Sequence, residues 1–196
     1  MHNDPVNLRD LWGLEANDPN KQSDLTYSII KMGGYKTTLS ADETFKLLQM
    51  NSQIGKAYSE EEENVYVCTT YLEEILKNAN LDVDKYLPGG QKVVNSIRIL
   101  SERKDSGMFK ATSGSNPSEG LYVFYYDYGD GTGHTGFVEF DKSGNAKILH
   151  NGSDGKGNQC VNIRTRDSRD FATWFDSEST GNLYYQEVEK ITVWQE

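Results

Sequence analysis

The sequence predicts an α+β fold, with helices in the N-terminal half packed on a C-terminal antiparallel β-sheet. Three observations support that expectation. Apolar residues recur at helical spacing between residues 41 and 100, short aromatic and β-branched runs follow from residue 121, and glycine-rich turns separate those runs. The chain has 196 residues, a length that suits one domain with an arm.

Residues 1–39 read as that arm: they are irregular, punctuated by Pro5, Pro19, Gly33 and Gly34, and expected to pack through Trp12 and Leu14. The domain itself is expected over 40–196. Ser40-Ala41-Asp42-Glu43 is a capping box, and Phe45, Leu47 and Leu48 follow it, which predicts a helix over 41–51. Glu60–Glu63 reads as a solvated acidic stretch. Cys68, Leu72, Ile75, Leu76 and Ala79 share one face and predict a helix over 66–79. Pro88-Gly89-Gly90 breaks the chain before another helix marked by Val93, Val94, Ile97 and Leu100, and residues 104–119 read as a loop. Leu121–Tyr128, Thr135–Asp141 and Ala146–His150 form an antiparallel meander through the turns Gly129-Asp130-Gly131 and Lys142-Ser143-Gly144-Asn145. Val161–Arg164 and Tyr184–Trp194 add strands, with a short helix around Phe171–Phe175. Tyr122, Tyr125, Tyr126 and Tyr128 fall along one strand, so about half of them are expected in the core.

Composition excludes several functions. Twenty Lys plus Arg against 30 Asp plus Glu leave a net charge of −10, a poor match for nucleic-acid phosphates. Aromatic residues at 11%, with 12 Tyr, argue against wholesale disorder. No run approaches the roughly 18 apolar residues of a membrane span, and residues 1–10 are acidic and lack the apolar core of an export signal. The three His and two Cys show no CxxC spacing, so neither a structural metal nor a cofactor is expected. Gly131-x-Gly133-x-x-Gly136 fits a dinucleotide fingerprint by its letters, but a strand pattern follows it where a helix is needed. Asp127 and Asp130 lack the alternating ligands and closing Glu of a calcium loop.

Nucleophilic amide chemistry needs a thiolate, an imidazole to move the proton and a third group to orient that imidazole. Cys68 stands at the start of a predicted helix, where unpaired N–H groups are expected to lower its pKa. His134 opens one strand and His150 closes the next, positions that a short turn places side by side. The sequence thus permits Cys68 as nucleophile, His134 as base and His150 as orienter, with Asn151 as a rival third member. Each has a plainer reading: Cys68 lies on its helix's apolar face, and either histidine serves as a strand-end polar residue. Cys160 has no helix behind it and reads as incidental. Tyr66, Tyr126 and Asn151 are the candidate substrate-lining residues.

Asn64-Val-Tyr-Val-Cys68-Thr-Thr-Tyr-Leu, Gly133-His134-Thr-Gly-Phe-Val-Glu-Phe and Ile148-Leu149-His150-Asn151 resemble the NlpC-type cell-wall cysteine peptidases, within the wider group that holds CHAP-type amidases and papain-like peptidases. There the Cys begins a helix, the His begins a core strand with an H-x-G-hydrophobic pattern, and a third polar residue follows on the next strand. The resemblance covers about residues 64–152. Val67 departs from the usual small polar residue before the Cys, and Cys68-Thr69-Thr70 from the usual Cys-Ser-Gly. The resemblance implies a papain-like fold and a substrate amide in bacterial peptidoglycan stem peptides, hence an envelope or secreted location. Two other readings stay open: a non-catalytic α+β binding module, such as an inactive relative, and a cysteine acyltransferase.

Overall fold

The computed structural model describes residues 35–56, 67–89, 92–111, 117–153, 156, 159–166 and 181–195. The expected packing of Trp12 and Leu14, the acidic stretch 60–63, Tyr66 and the helix at 171–175 lie outside the described residues. In order, the elements are β1 (Tyr35–Thr38), α1 (Ala41–Met50), α2 (Val67–Asn78), α3 (Val83–Tyr86), α4 (Val93–Glu102), β2 (Phe109–Lys110), β3 (Gly120–Asp127), β4 (Gly133–Phe140), β5 (Ala146–Ser153), β6 (Gln159–Arg166), β7 (Asn182–Glu187) and β8 (Thr192–Gln195). The fold is α+β. Among the described residues, an antiparallel six-stranded sheet runs in the order β2-β7-β3-β4-β5-β6, and β1 pairs with β8 in a separate ribbon.

Helix α1 starts where its capping box places it: the Glu43 carboxylate accepts from Ser40 N–H at 2.7 Å, and the Ser40 side chain accepts from Glu43 N–H. Its Phe45 and Leu48 join Leu72, Ile75 and Leu76 of α2 and Ile97 and Leu100 of α4 in one core. That core covers the sheet face made by Leu121, Val123, Tyr125, Phe137, Leu149 and Val161. A second cluster, with Tyr122, Phe124, Tyr126, Val138, Phe140, Ile148 and Tyr185, occupies the other face. With both faces buried, strand alternation chooses between two cores instead of between core and water. The tyrosine row is corrected accordingly: Tyr122, Tyr125 and Tyr126 are all buried, while Tyr128, just past β3, is 38% exposed.

A buried polar hub fastens the sheet to the helices. The Tyr125 hydroxyl lies 2.7 Å from the Tyr86 carbonyl and 2.8 Å from Gln186 Oε1. Gln186 Nε2 donates to the Lys85 and Ser106 carbonyls, both at 2.9 Å. Three local expectations are also revised. Residues 35–38 form a strand; the loop at 104–119 contains β2; and the run 184–194 divides into β7 and β8, which belong to different sheets.

The main chain departs from regular pairing at two places. Gly55 N–H donates to the Val161 carbonyl at 2.8 Å and Val161 N–H to the Lys56 carbonyl at 2.9 Å, so residues 55–56 add one rung to β6 at the sheet edge. The β4–β5 ladder runs from Phe140↔Ala146 to Phe137↔Leu149. Beyond it, β4 stays paired with β3 down to Gly133 and β5 stays paired with β6 up to Ser153, so β4 and β5 part as a fork. Among the described residues, no helix is long and apolar enough to cross a membrane.

Candidate active site

The fork collects the chemistry-bearing residues. Tyr128 N–H bonds the Thr132 carbonyl, so even-numbered positions of β4 bond to β3 and odd-numbered ones point toward β5. In the fork, Gly133 and Thr135 therefore present main-chain groups that no ladder takes up. Cys68, the second residue of α2, comes to that point from the helix side. Its Sγ lies 3.9 Å from the Gly133 carbonyl oxygen, with the thiol as donor. The main-chain groups of Thr135, and of Thr69 and Cys68 itself in the first turn of α2, act on the sulfur in the direction that favours its thiolate. The sulfur thus rests against the β4 main chain on the helix side, flanking His134, and makes no hydrogen bond to the His134 ring, so the expected thiol–imidazole contact is not formed in this state.

Burial pushes the Cys68 thiol above its ordinary pKa, outweighing the opposing pull of these three amides. The expectation of a lowered thiol at a helix start is corrected for this state. Desolvation penalises the thiolate more than the helix-start amides favour it.

The histidines meet directly. His134 Nε2 and His150 Nδ1 are 2.8 Å apart, with the rings edge-to-face at 5.1 Å and 82°. Both project from the sheet face opposite the helices, where the His134 ring lies 5.8 Å from that of Phe124. Gly136 makes room for them: a Cβ there would stand 2.7 Å from His150 Cβ and 3.0 Å from the Phe124 ring. Gly152 does the same, since its Cβ would come within 2.7 Å of the His150 ring. Burial lowers the pKa of His134 to about 4. It lowers His150 to about 3, with smaller contributions from His134 and Arg164, against a raising contact from Asn162.

The remaining candidates divide. Asn151 points to the helix face, 5% exposed, and its Nδ2 donates to the Val67 carbonyl at 3.3 Å. It fastens the start of α2 and does not hydrogen-bond in place of His150. Tyr126 is 1% exposed and packs edge-to-face on Tyr128 with centroids 4.9 Å apart, so its expected role in lining a substrate groove gives way to a core role. Tyr66 lies outside the described residues. Cys160 is a half-buried free thiol on β6, opposite Gly152. Asp127 and Asp130 accept from Gly129 N–H and Thr132 N–H, so both shape the β3–β4 turn. Among the described residues, no group of three or more His, Cys, Asp or Glu is placed to hold a metal.

Sequence reasoning missed Asn162. It stands opposite His150 in the β5–β6 register and is 8% exposed. Its Nδ2 donates to the Cys160 carbonyl at 2.8 Å and to the Gly152 carbonyl at 2.9 Å. Only cross-strand register reveals this placement, and no motif encodes it. Neither a protein-family model nor a curated protein matches this chain.

Proposed function

We propose that this protein is a cysteine amidase or peptidase on a papain-like scaffold, acting through an acyl-enzyme at Cys68. One observation carries the reading: the Cys68 sulfur rests on the main chain flanking His134, while His134 Nε2 is held by His150. The sulfur comes from the helix side and the His134 ring projects from the other face, so in this reading the ring swings past the β4 main chain in the fork for its Nδ1 to reach the thiol. In the reaction, the thiol proton passes to His134 Nδ1 as the sulfur attacks the scissile carbonyl carbon. The N–H groups of Cys68 and Thr69 stabilise the oxyanion. The tetrahedral adduct collapses to a thioester and the leaving amine takes the proton from His134. Water, deprotonated by the same nitrogen, then releases the acid and restores the thiol.

Peptidoglycan stem peptides are the proposed substrate, on the strength of the resemblance around Cys68, His134 and His150. An amine in place of water would make the same site an acyltransferase. The burial that keeps Cys68 and both histidines neutral favours a second reading, a non-catalytic α+β module in which the three residues are core polar groups.

The test is digestion of purified peptidoglycan and of stem-peptide fragments, followed by mass spectrometry of the products. Wild type and Cys160→Ala are expected to cleave within a few-fold of each other, and Cys68→Ala to lose cleavage while keeping its fold by circular dichroism. Full cleavage by Cys68→Ala would remove the nucleophile. A wild type that neither cleaves these amides nor acylates Cys68 would favour the binding module.

A further inference from the structure

A hydrogen-bonded pair of neutral imidazoles has two proton arrangements, and only one suits catalysis. If His134 donates its Nε2 proton to His150 Nδ1, then His134 Nδ1 carries the lone pair and can take the thiol proton. If His150 donates, His134 Nδ1 holds a hydrogen and is useless as a base. The 2.8 Å contact fits both arrangements, so something beyond the pair must choose.

Asn162 is placed to choose. Its Nδ2 is committed to two strand carbonyls, those of Cys160 and Gly152. Two carbonyl acceptors define that atom as the nitrogen and so fix which way the amide points. Its Oδ1 is buried and has no partner within hydrogen-bond distance, the ring of His150 included. Asn162 stands directly opposite His150 on the neighbouring strand, and its side-chain contact to that ring favours keeping a proton there. An amide oxygen only accepts, so it selects the His150 form with hydrogen on Nε2. That form leaves His150 Nδ1 as an acceptor, and His134 must then donate.

We infer that Asn162 is a positioning residue of this site, its fixed amide oxygen holding His150 as the Nε2–H tautomer and thereby leaving His134 Nδ1 as the basic nitrogen. The inferred order is Asn162 Oδ1 toward His150 Nε2–H, then His150 Nδ1 toward His134 Nε2–H, with His134 Nδ1 as the last atom of the series. When His134 accepts the thiol proton its charge spreads toward Nε2–H, and the neutral His150 Nδ1 receives it by hydrogen bonding, with no second proton transferred. The order rests on the hydrolase reading for its purpose, though not for its detection.

The experiment is nitrogen NMR of the full chain labelled at histidine, near pH 7 and without substrate. Both His134 and His150 are expected as Nε2–H tautomers in wild type. Asn162→Leu removes the acceptor, and His150 should shift toward the Nδ1–H form. Asn162→Asp keeps an acceptor while losing both strand donations, so it should retain the wild-type tautomers. Once a cleaved substrate is in hand, Asn162→Leu should lower kcat about 10-fold or more with KM little changed, and Asn162→Asp should recover part of that loss. His150 as the Nδ1–H form in wild type would overturn the inference, as would an Asn162→Leu protein with unchanged tautomers. Should Asn162→Leu fail to fold, Asn162→Asp decides alone: loss of the Nε2–H form in it counts against the inference. Tautomers are read without turnover, so an inert Cys68 would sink the hydrolase and leave this order standing.

Discussion

Burial imposes the neutral form on the Cys68 thiol and on the paired imidazoles of His134 and His150. The histidines make this measurable through stability. In the unfolded chain they titrate near about 6.5, whereas in the folded chain burial holds His134 near about 4 and His150 near about 3. Between those values the unfolded chain binds protons that the folded chain refuses. Their contribution is therefore complete above about pH 6.5 and is lost as pH falls toward the folded values. Exposed Asp130 and Asp141, whose pKa values are lowered by hydrogen bonds, weaken the fold in the same direction, so the histidine share must come from a comparison. Between pH 7 and 4.5, wild type should lose on the order of 2 kcal/mol more stability than His150→Gln in urea denaturation. Equal losses would mean that His150 is not buried as described. The meeting of His134 with His150 was legible from the short turn between their strands. The thiol's raised pKa was not, because desolvation depends on what packs over a residue, and Asn162 was not, because register places it.

At the scale of elements, legibility followed length and local chemistry. Helix α1 announced itself through Ser40 and Glu43, and the strands β3, β4 and β5 through their turns. The four-residue α3 and two-residue β2 are too short to show a period, and β7 and β8 read as one run because their strand character is alike. The H-x-G spacing of His134 and Gly136 now has a physical cause, since the second position is the floor on which His150 lies. Gly136→Ala puts a methyl group 2.7 Å from His150 Cβ and 2.8 Å from the Leu149 carbonyl, which main chain on one side and a buried ring on the other cannot easily relieve. The expected cost is about 1–3 kcal/mol, with turnover lost through displacement of the His150 ring. Denaturation curves and cleavage rates matching wild type would show that the strands can part further without consequence.

For the whole molecule, the α+β class was visible in the switch from helical to strand periodicity. The neighbour order was not, since β7 slots between β2 and β3 by pairing across the chain, from Tyr122↔Glu187 to Asp127↔Asn182. Aromatic alternation also could not distinguish a sheet buried on one face from one buried on two. The rung that Gly55 and Lys56 add to Val161 has a consequence for how copies of this protein behave together. Unpaired strand edges invite other chains to add themselves and grow into fibrils. Among the described residues, the β6 edge is interrupted at its middle by the chain's own backbone, and at the opposite edge β2 offers a strand of two residues. Gly55 sits at φ +86°, where a β-branched side chain is strained, so Gly55→Val should pull the rung away. That variant is expected to form thioflavin-positive aggregates at concentrations where wild type stays clear, and equal clarity would show that β6 needs no such guard. On the expected outcome, the turn at Gly55 and Lys56 acts as a stopper against polymerisation.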